Sequence, residues 1–537
     1  MKRCPECKRD YYDDGLNFCL DDGAWLLDDP GISDYPTEVM TPEFISGESQ
    51  TKIFNFSSSA ATGTAFHEAV TKQFTSIAVL PFAHLSSDPD DEYFCDGLAE
   101  ELINALAKVE DLKVVARTSA FSFKGKNMDI GQIGATLNVQ HIVEGSVRKF
   151  GERMRITVQL VNAADGYHIW SEKYDTEMRN IFDVQDEITR SVVSKLTAKL
   201  LGKEDADIND RMAVLIEDLK HHASNVEAYQ QYLRGRFFLN KFTPQDFERA
   251  IECFERAIDI DPAYANGYAG LADAHMLSTE MGPVPAHVGM PKAKKAAEKA
   301  LSLDPMLSEA HSALGFVMQD LDFDFAGAER AFRRAIELNP NNSNARRSYG
   351  QLLAQLGRHE EAEFEFTKAL EVDPLSAIGN WIYSFGLFEA RRYDDCIEQT
   401  KKTLQLDSNF PAAYLSLSFA HHMRGDFAAS VEAYAKFSDL CGASEIAVKA
   451  RKAFEEYGWE GFLRSMVERE AGSTLSTYIV AVYQTALGAT DKAIASLEES
   501  FATREPYILM LKVDPRFDGL RDDRRFQDLL HKVGFPE

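Results

Sequence analysis

The fold of most of this chain is decided by one stretch, residues 343–374, which reads SNARRSYGQLLAQLGRHEEAEFEFTKALEVDP. Gly350 lies in its first half, while Ala362 and Phe366 follow in its second half at helical spacing. A small residue lets two helices approach closely, an aromatic ring fills the space beside it, and Pro374 ends the second helix. The stretch therefore predicts two antiparallel helices joined by a short turn.

The same punctuation recurs along the second half of the chain, where an Asp-Pro or Asn-Pro pair closes each unit. The last two of these pairs are 34 residues apart, a period typical of paired helices stacked into a solenoid. We expect the solenoid over residues 225–510, a charged connector over 202–224 before it, and a C-terminal cap over 511–537. The pairs are Asp261-Pro262, Asp304-Pro305, Asn339-Pro340 and Asp373-Pro374.

These units resemble the tetratricopeptide repeat family. The unit before the quoted one keeps the signature with Gly315, Ala328 and Phe332. The next two units keep the period but change the small residues, so we expect less ideal packing there. The departures are Ser384, Cys396 and Thr403, then Ser418, Ser430 and Phe437.

The first 29 residues contain a possible metal site, Cys4-x2-Cys7 followed by Cys19-x2-Asp22. Two such knuckles can present four ligands tetrahedrally to zinc, and so short a segment needs a metal to fold. It resembles the short zinc ribbons that open many bacterial multidomain proteins. We predict one structural zinc held by Cys4, Cys7, Cys19 and Asp22. The alternative is a vestigial ribbon without metal.

Residues 30–75 have no periodic apolar face and read as a flexible linker. From residue 76 the pattern predicts a compact α/β domain, reaching residue 201. A buried strand at 76–82 comes first, with helices at 98–109, 130–137 and 181–201. A second strand is expected at 112–117, and three alternating segments predict an antiparallel meander. The meander is expected at His141–Lys149, Arg153–Val161 and His168–Asp175.

This α/β region resembles the TolB amino-terminal-like domain. In bacteria that domain is often followed by tetratricopeptide repeats and fused to cyclase, winged-helix or kinase modules. The resemblance implies a mixed-sheet fold and no catalytic residues. It rests on Ala78–Phe82, Tyr93–Leu98, Val115–Ser119, Phe123–Lys126, Val143–Val147 and Ile169–Tyr174.

Charge and hydropathy narrow the classes of partner. The formal net charge is −27, which repels phosphate backbones and makes nucleic acid an unlikely partner. No run of about 20 apolar residues predicts a membrane span, and Cys4 and Cys7 stand where a signal peptide needs an apolar core. We therefore expect a cytoplasmic protein of bacterial type.

The sequence also lacks the motifs of common enzymes. There is no phosphate-binding loop, no dinucleotide fingerprint and no nucleophile elbow. We predict a non-enzymatic scaffold or signalling regulator that binds a protein or peptide partner through its repeats. The alternative is a regulatory component of a nucleotide-cyclase or transcription-control system whose output domain is on another chain. The partner, the signal and the oligomeric state are left open.

The predicted partner site is the groove formed by the first helix of each unit, where apolar rings would be costly in water. Two alternatives remain open: these side chains pack against neighbouring helices, or the C-terminal segment fills the groove. The predicted groove residues are Phe316, Arg347, Gln351, Trp381, Phe385, Phe388, Leu415, Phe419, His422 and Met423.

Overall fold

The computed structural model describes most of the chain from residue 75 onward. It covers residues 75–85, 92–109, 112–151, 153–177, 180–201, 225–241, 243–280, 284–467 and 476–536, and three short strands before them. The chain divides into two units, Met1–Thr71 and Lys72–Glu537. Each unit is described by itself.

The first unit contains a small antiparallel sheet. Strand β1 (Lys2–Arg3) pairs with both β2 (Asp10–Tyr11) and β3 (Leu27–Asp28). The predicted zinc ligands Cys4, Cys7, Cys19 and Asp22 lie outside the described residues, as does nearly all of the predicted linker. The zinc site and the linker therefore stay predictions.

The second unit begins with the α/β domain, built on a mixed sheet. The order β6-β4-β7-β8-β9 is parallel among its first three strands and antiparallel from β7 to β9, and β5 also pairs with β7. The strands are β4 (Thr75–Val79), β5 (Ala83–His84), β6 (Leu112–Val114), β7 (His141–Phe150), β8 (Arg153–Asn162) and β9 (His168–Glu177). The predicted meander is confirmed, nearly to the residue.

The helices of this domain are α1 (Glu92–Ala107), α2 (Arg117–Phe121), α3 (Ile130–Leu137) and α4 (Ile181–Leu201). The start predicted for α1 is wrong, because Asp96 and Gly97 lie inside the helix. The predicted second strand is also too long, since the chain turns into α2 at Arg117. The bounds predicted for α3 and α4 agree with the structure.

Strand β4 explains why this domain has two cores. Its side chains alternate between the two faces of the sheet, as the period of a strand requires. Ile77 and Val79 pack in the cluster that contains α1 and α4, while Ala78 packs in the cluster around α2 and α3. All three are fully buried, which is typical of a parallel strand covered by helices on both faces.

The rest of the described chain is helical and repeats in pairs. The expected helical solenoid is present as an array of helix pairs, and its predicted bounds of 225–510 stay a prediction. Its helices are α5 (Val226–Leu239), α6 (Pro244–Ile260), α7 (Ala265–Glu280), α8 (Ala286–Leu303), α9 (Ser308–Val317), α10 (Phe325–Leu338), α11 (Ser343–Gln355), α12 (His359–Val372), α13 (Ala377–Glu389), α14 (Tyr393–Leu406), α15 (Pro411–Arg424), α16 (Phe427–Leu440), α17 (Ser444–Val467, kinked at Gly458), α18 (Thr477–Ala486) and α19 (Thr490–Ala502).

The helices of the unit at residues 343–374 pack as closely as its sequence predicts. A Cβ at Gly350 would lie 2.7 Å from the ring of Phe366, and one at Gly386 of the next unit would lie 2.6 Å from the same ring. Phe366 therefore fills the space between two first helices, and neither glycine can carry a side chain without displacing it.

In one of the two units that depart from the signature, the small polar residues are joined by hydrogen bonds. Ser418 and Ser430 are 3.1 Å apart through their hydroxyls, and the Ser430 hydroxyl donates to the Ser418 carbonyl oxygen at 2.8 Å. Both are buried, so the bond satisfies groups that water cannot reach. The expectation of less ideal packing in these units stays a prediction.

An ion network joins the α/β domain to the first repeat helix. Glu100 on α1 lies 2.6 Å from Arg236 on α5 and 2.9 Å from Arg117 on α2, and it is 4% exposed. Burial alone would raise the pKa of Glu100, but the two guanidinium groups outweigh it and lower that pKa below its usual value. Nearby, Gly97 approaches Leu233 so closely that a Cβ would lie 2.7 Å from it.

A second contact joins the α/β domain to the turns between repeats. The backbone N–H and the hydroxyl of Ser119 donate to Asp373 at 3.1 and 2.6 Å, and the Leu375 N–H donates to the Ser119 hydroxyl at 2.9 Å. One unit earlier, the Asn341 side chain donates to the Ala107 carbonyl oxygen at 3.0 Å.

These contacts join the α/β domain to the repeats. Their buried side chains form one hydrophobic cluster that runs from the sheet into α5–α9. The connector over residues 202–224 stays a prediction, but the buried surfaces of the two domains that it joins are continuous.

Among the described residues, no helix combines the length and the apolarity needed to cross a lipid bilayer.

Candidate functional site

The predicted groove residues all lie on the first helices α9, α11, α13 and α15. Phe316, Phe388 and Phe419 are buried, with at most 3% of their surface exposed. The others are half-buried: Arg347, Gln351, Trp381, Phe385, Leu415, His422 and Met423. The structure thus places the predicted residues on one set of helices, but few of their rings are exposed to solvent.

The C-terminal segment lies against this set of helices. It contains two short 3-10 helices, Pro506–Met510 and Pro515–Leu520, and helix α20 (Arg524–Val533). The guanidinium of Arg516 lies 3.9 Å from the centre of the Phe419 ring and 5.4 Å from that of Phe388. The expectation of a water-facing aromatic stripe is wrong at these rings, because the chain covers them with its own C-terminal segment.

A buried ion pair lies within that segment, and Tyr478 of α18 bonds to it. Arg516 and Asp514 are 2.6 Å apart with both side chains fully buried, and the Tyr478 hydroxyl donates to Asp514 at 2.9 Å. Next to them, burial raises the pKa of Glu389 well above its usual value, with Asp514 adding to the effect and Arg516 opposing it. The buried core around the Asp514–Arg516 pair therefore favours the neutral form of Glu389 more than water does.

The segment also reaches the turns within the repeats. Asp518 pairs with Arg391 at 2.8 Å, and the Phe535 ring stacks on Phe325 with 5.2 Å between centres. Just before the segment begins, Arg504 lies 4.2 Å above the Phe323 ring. The predicted cap thus extends along several units and does more than close the end of the array.

His422 lies in an aromatic pocket beside this segment. Its ring centre is 4.8 Å from that of Trp459, which in turn stacks on Phe427 at 4.6 Å. Burial, helped by the charge of Arg516, lowers the pKa of His422 to about 4. The imidazole is therefore neutral at pH 7 and part of the packing.

Arg347 and Gln351 are the predicted groove residues that keep polar surface on the array. Both are half-buried on α11. Burial lowers the pKa of Arg347, while the nearby carboxylates Glu280 and Asp373 raise it. Trp381 is less available, because its indole N–H donates to the Ser416 hydroxyl at 3.0 Å. A guanidinium and an amide one helical turn apart can hydrogen-bond a peptide backbone or a carboxylate.

Sequence reasoning missed Asp514 and Arg516, which anchor the segment. A usable signal was present, since Asp514-Pro515 repeats the Asp-Pro pair that ends the repeat units. It also missed Ser119, whose contact with Asp373 depends on the tertiary arrangement and leaves no mark in the local sequence. No group of three or more His, Cys, Asp or Glu side chains that could hold a metal occurs within the described ranges.

Comparison with known families assigns the repeats. Tetratricopeptide repeat profiles match residues 245–264 and 324–377, which lie within the helix pairs described above. The C-terminal part of this chain is a tetratricopeptide-repeat solenoid. A profile described as "HilA/YgeH-like transcriptional regulator, second domain" matches residues 72–191, which span most of the α/β domain. The tetratricopeptide-repeat fold is normally non-catalytic, and proteins that contain it bind peptide or protein partners.

Among curated proteins, this chain is similar to "Putative adenylate cyclase 3" of Rhizobium meliloti (strain 1021), with 39% identity over 197 residues. That alignment covers 37% of this chain and 32% of the relative. It is also similar to "Transcriptional regulator HilA" of Salmonella typhimurium, with 28% identity over 178 residues and 32% of each chain covered. The matches thus span about a third of the length of these relatives.

Among solved structures, this chain is similar to the one titled "Crystal structure of PilW, widely conserved type IV pilus biogenesis factor". The identity is 18% and the TM-score is 0.35, with 42% of this chain and 100% of the other covered.

Proposed function

We propose that this chain is a non-enzymatic scaffold or signalling regulator that binds a protein or peptide partner through the first helices of its repeats. The observation that carries the proposal is the tetratricopeptide-repeat solenoid itself, whose α11 keeps Arg347 and Gln351 half-buried. The partner surface proposed is the part of the groove left open beside the C-terminal segment. We place its action in the bacterial cytoplasm, with zinc holding the N-terminal ribbon.

The test compares one added positive charge on each face of the same unit. Gln351→Arg changes the first helix α11, and Phe364→Arg changes the second helix α12, where Phe364 is 57% exposed. The full-length chain and both variants would be used as bait, and the amount of each captured protein compared by quantitative mass spectrometry. Circular dichroism checks that both variants fold.

A partner that binds the groove is retained by Phe364→Arg and lost from Gln351→Arg, because only the latter places a long charged side chain in the contact. Equal capture by both variants contradicts the proposal. Loss from Phe364→Arg alone would assign the partner to the second-helix face.

A second candidate function is regulation of a nucleotide-cyclase or transcription-control system whose output domain is on another chain. It is favoured by the α/β domain, since this part of the chain matches the HilA/YgeH-like profile and resembles the TolB amino-terminal-like domain. In such a system the α/β domain and the solenoid supply control, and the catalytic or DNA-binding part is separate.

The purified chain should then form no cyclic AMP or cyclic GMP from ATP or GTP with Mg²⁺ or Mn²⁺. Any product that scales with the chain and survives repurification contradicts the assignment as a non-enzyme. A captured partner that carries a cyclase or DNA-binding domain would favour this second candidate over a general scaffold.

A further inference from the structure

The sheet of the α/β domain has two edge strands, and the solenoid binds one of them. Strand β6 forms this edge with three residues. The Asn341 side chain, from a turn between repeats, donates to the Leu112 carbonyl oxygen at 3.3 Å and accepts from the Val114 N–H at 3.5 Å. Backbone groups at this edge are therefore paired with the repeats.

Strand β9 forms the other edge and is longer. It has ten residues, and β8 is the one strand in the described part of the chain that pairs with it. It contains no proline, and its register shift against β8 lies at its start, beside Leu160 and Val161. An edge strand points the N–H and C=O groups of alternate residues away from its sheet, so a long and regular edge can pair with a further strand.

The charges on β9 indicate that the further strand is β9 of a second copy. Lys173 and Asp175 are both exposed, and they point to the same face because they are two residues apart in a strand. When two such strands pair antiparallel, each of these residues can lie opposite the other one on the second copy. Opposite charges directly across a strand pair are stabilising, so β9 is complementary to itself.

Charge also selects the register of this pair. Residues that point their backbone groups outward meet one another, so opposed residues are both odd-numbered or both even-numbered. The two registers with the longest overlap place Glu172 opposite Glu172 of the second copy, or Lys173 opposite its Lys173. Like charges directly opposite are destabilising, which disfavours both registers.

A register centred on Tyr174 avoids both repulsions. It places Lys173 opposite Asp175 of the second copy, and the two-fold axis repeats this pair. The alternative on the other side, centred on Ser171, has no pair of opposite charges. We propose that this chain forms a two-fold symmetric dimer in which β9 pairs antiparallel with β9 of a second copy, centred on Tyr174.

The side chain that Asp175 already binds is compatible with this pairing. Arg155 on β8 lies 2.7 Å from Asp175, and both side chains are exposed. An ionised carboxylate can accept several hydrogen bonds, so Asp175 can bind Arg155 and Lys173 of the second copy together.

The proposed dimer is independent of the partner in the repeat groove. Strand β6, which contacts the solenoid, and β9 are at opposite edges of the sheet. Pairing along β9 would join two sheets into one and give each dimer two repeat arrays. A partner with two binding segments would then bind the dimer more tightly than either copy alone, because its second contact becomes intramolecular.

The test measures self-association of the full chain by sedimentation velocity over a range of concentrations. Wild type should show a reversible equilibrium between monomer and dimer. Lys173→Asp and Asp175→Lys each place like charges opposite each other twice, so each should weaken dimerisation by about tenfold or more. Lys452→Asp, the same charge change at an exposed lysine on α17, should leave dimerisation unchanged.

Mixing the two β9 variants gives the decisive result. A pair of one Lys173→Asp chain and one Asp175→Lys chain has opposite charges at both positions. The equimolar mixture should therefore associate about as tightly as wild type, although neither variant does so alone. A change in folding of either variant would not produce this recovery.

Recovery in the mixture, with Lys452→Asp equal to wild type, supports the proposal. The proposal is overturned if wild type stays monomeric throughout, if either β9 variant dimerises as wild type does, or if the folded variants fail to associate when mixed. If circular dichroism shows that Asp175→Lys does not fold, Lys173→Asp decides alone: self-association equal to that of Lys452→Asp overturns the proposal, and weaker self-association supports it.

Discussion

Replacing Glu100 by Gln tests whether the junction between the α/β domain and the repeats depends on its ion network. Glu100 is 4% exposed and lies between the guanidinium groups of Arg236 and Arg117, at 2.6 and 2.9 Å. The amide keeps the shape of the side chain but removes its charge. Both arginines would then be left without their shared carboxylate.

The burial of this ion network determines how much stability Glu100→Gln should remove. Removing one member of a buried ion pair typically destabilises a protein by about 3–5 kcal/mol, because the partner charge remains desolvated. The side chains of Arg236 and Arg117 keep 20% and 18% exposure and can recover some hydration, so we expect the lower end, about 3 kcal/mol. The unit Lys72–Glu537 unfolds with an entropy of about 2.1 cal/mol/K per residue, so this loss corresponds to a fall in Tm of about 3 °C.

The matched control is the same substitution at an exposed pair of equal length. Glu460 and Arg464 are also 2.6 Å apart, but their side chains are 66% and 62% exposed. Glu460→Gln should change stability by no more than about 0.5 kcal/mol, because solvent screens the pair. Differential scanning calorimetry of both variants beside the wild type measures the difference.

A pH series adds an independent readout. Because the pKa of Glu100 is lowered in the folded chain, its contribution to stability is complete above the unfolded value near 4.5 and is lost as the pH falls through the lower folded value. Glu100→Gln should therefore lose less stability in that acidic window than the wild type. If Glu100→Gln and Glu460→Gln lower Tm equally at pH 7, the network does not hold the junction and the reasoning is refuted.

Three further predictions concern other parts of the chain. The N-terminal ribbon should carry about one zinc per chain by elemental analysis, and Cys7→Ser should lose it; a chain that binds no zinc while circular dichroism shows an ordered ribbon contradicts the site. Gly350→Ala should lower the free energy of unfolding by about 1–3 kcal/mol in chemical denaturation, because its Cβ would lie 2.7 Å from Phe366. Gly519→Ala, whose Cβ would have nothing within 4 Å, should leave it unchanged. Equal stability of the two variants would show that the Phe366 ring moves without cost. His422→Phe should reduce the loss of stability between pH 6.5 and about 4, where the unfolded imidazole binds a proton that the folded one excludes; an unchanged slope over that window would show that His422 charges inside the fold.

The repeats could be predicted from sequence because their rules are local. Gly350, Ala362 and Phe366 act within one pair of helices, and the proline that follows each unit marks its end. The alternation of apolar and polar residues that predicts the meander strands is likewise visible in consecutive residues. The start of α1 was missed because Asp96-Gly97 looks like a helix start, yet that glycine is there for the close approach of Leu233.

The covering of the groove could not be predicted in the same way. Phe388 and Phe419 have the same sequence signature whether they face water or pack beneath Arg516, which follows them in the chain by 128 and 97 residues. The contact between Ser119 and Asp373 is likewise a tertiary one. Pattern reasoning placed these residues on the first helices of the units, and it left open whether neighbouring helices or the C-terminal segment covers them.

The contacts of the α/β domain with the solenoid also fix the number of repeats between them. The α/β domain is attached at Arg236, near the start of the array, and again at Asp373, several units later. Duplicating one unit between them would move Asp373 by a whole repeat, so Glu100 and Ser119 could not both keep their partners. Farther along, the stacking of Phe535 on Phe325 closes the array in the same way. Repeat arrays commonly gain or lose whole units. Here the contacts at Arg236 and at Asp373 fix the number of units between them. Changes in the binding surface of those units therefore have to come by substitution.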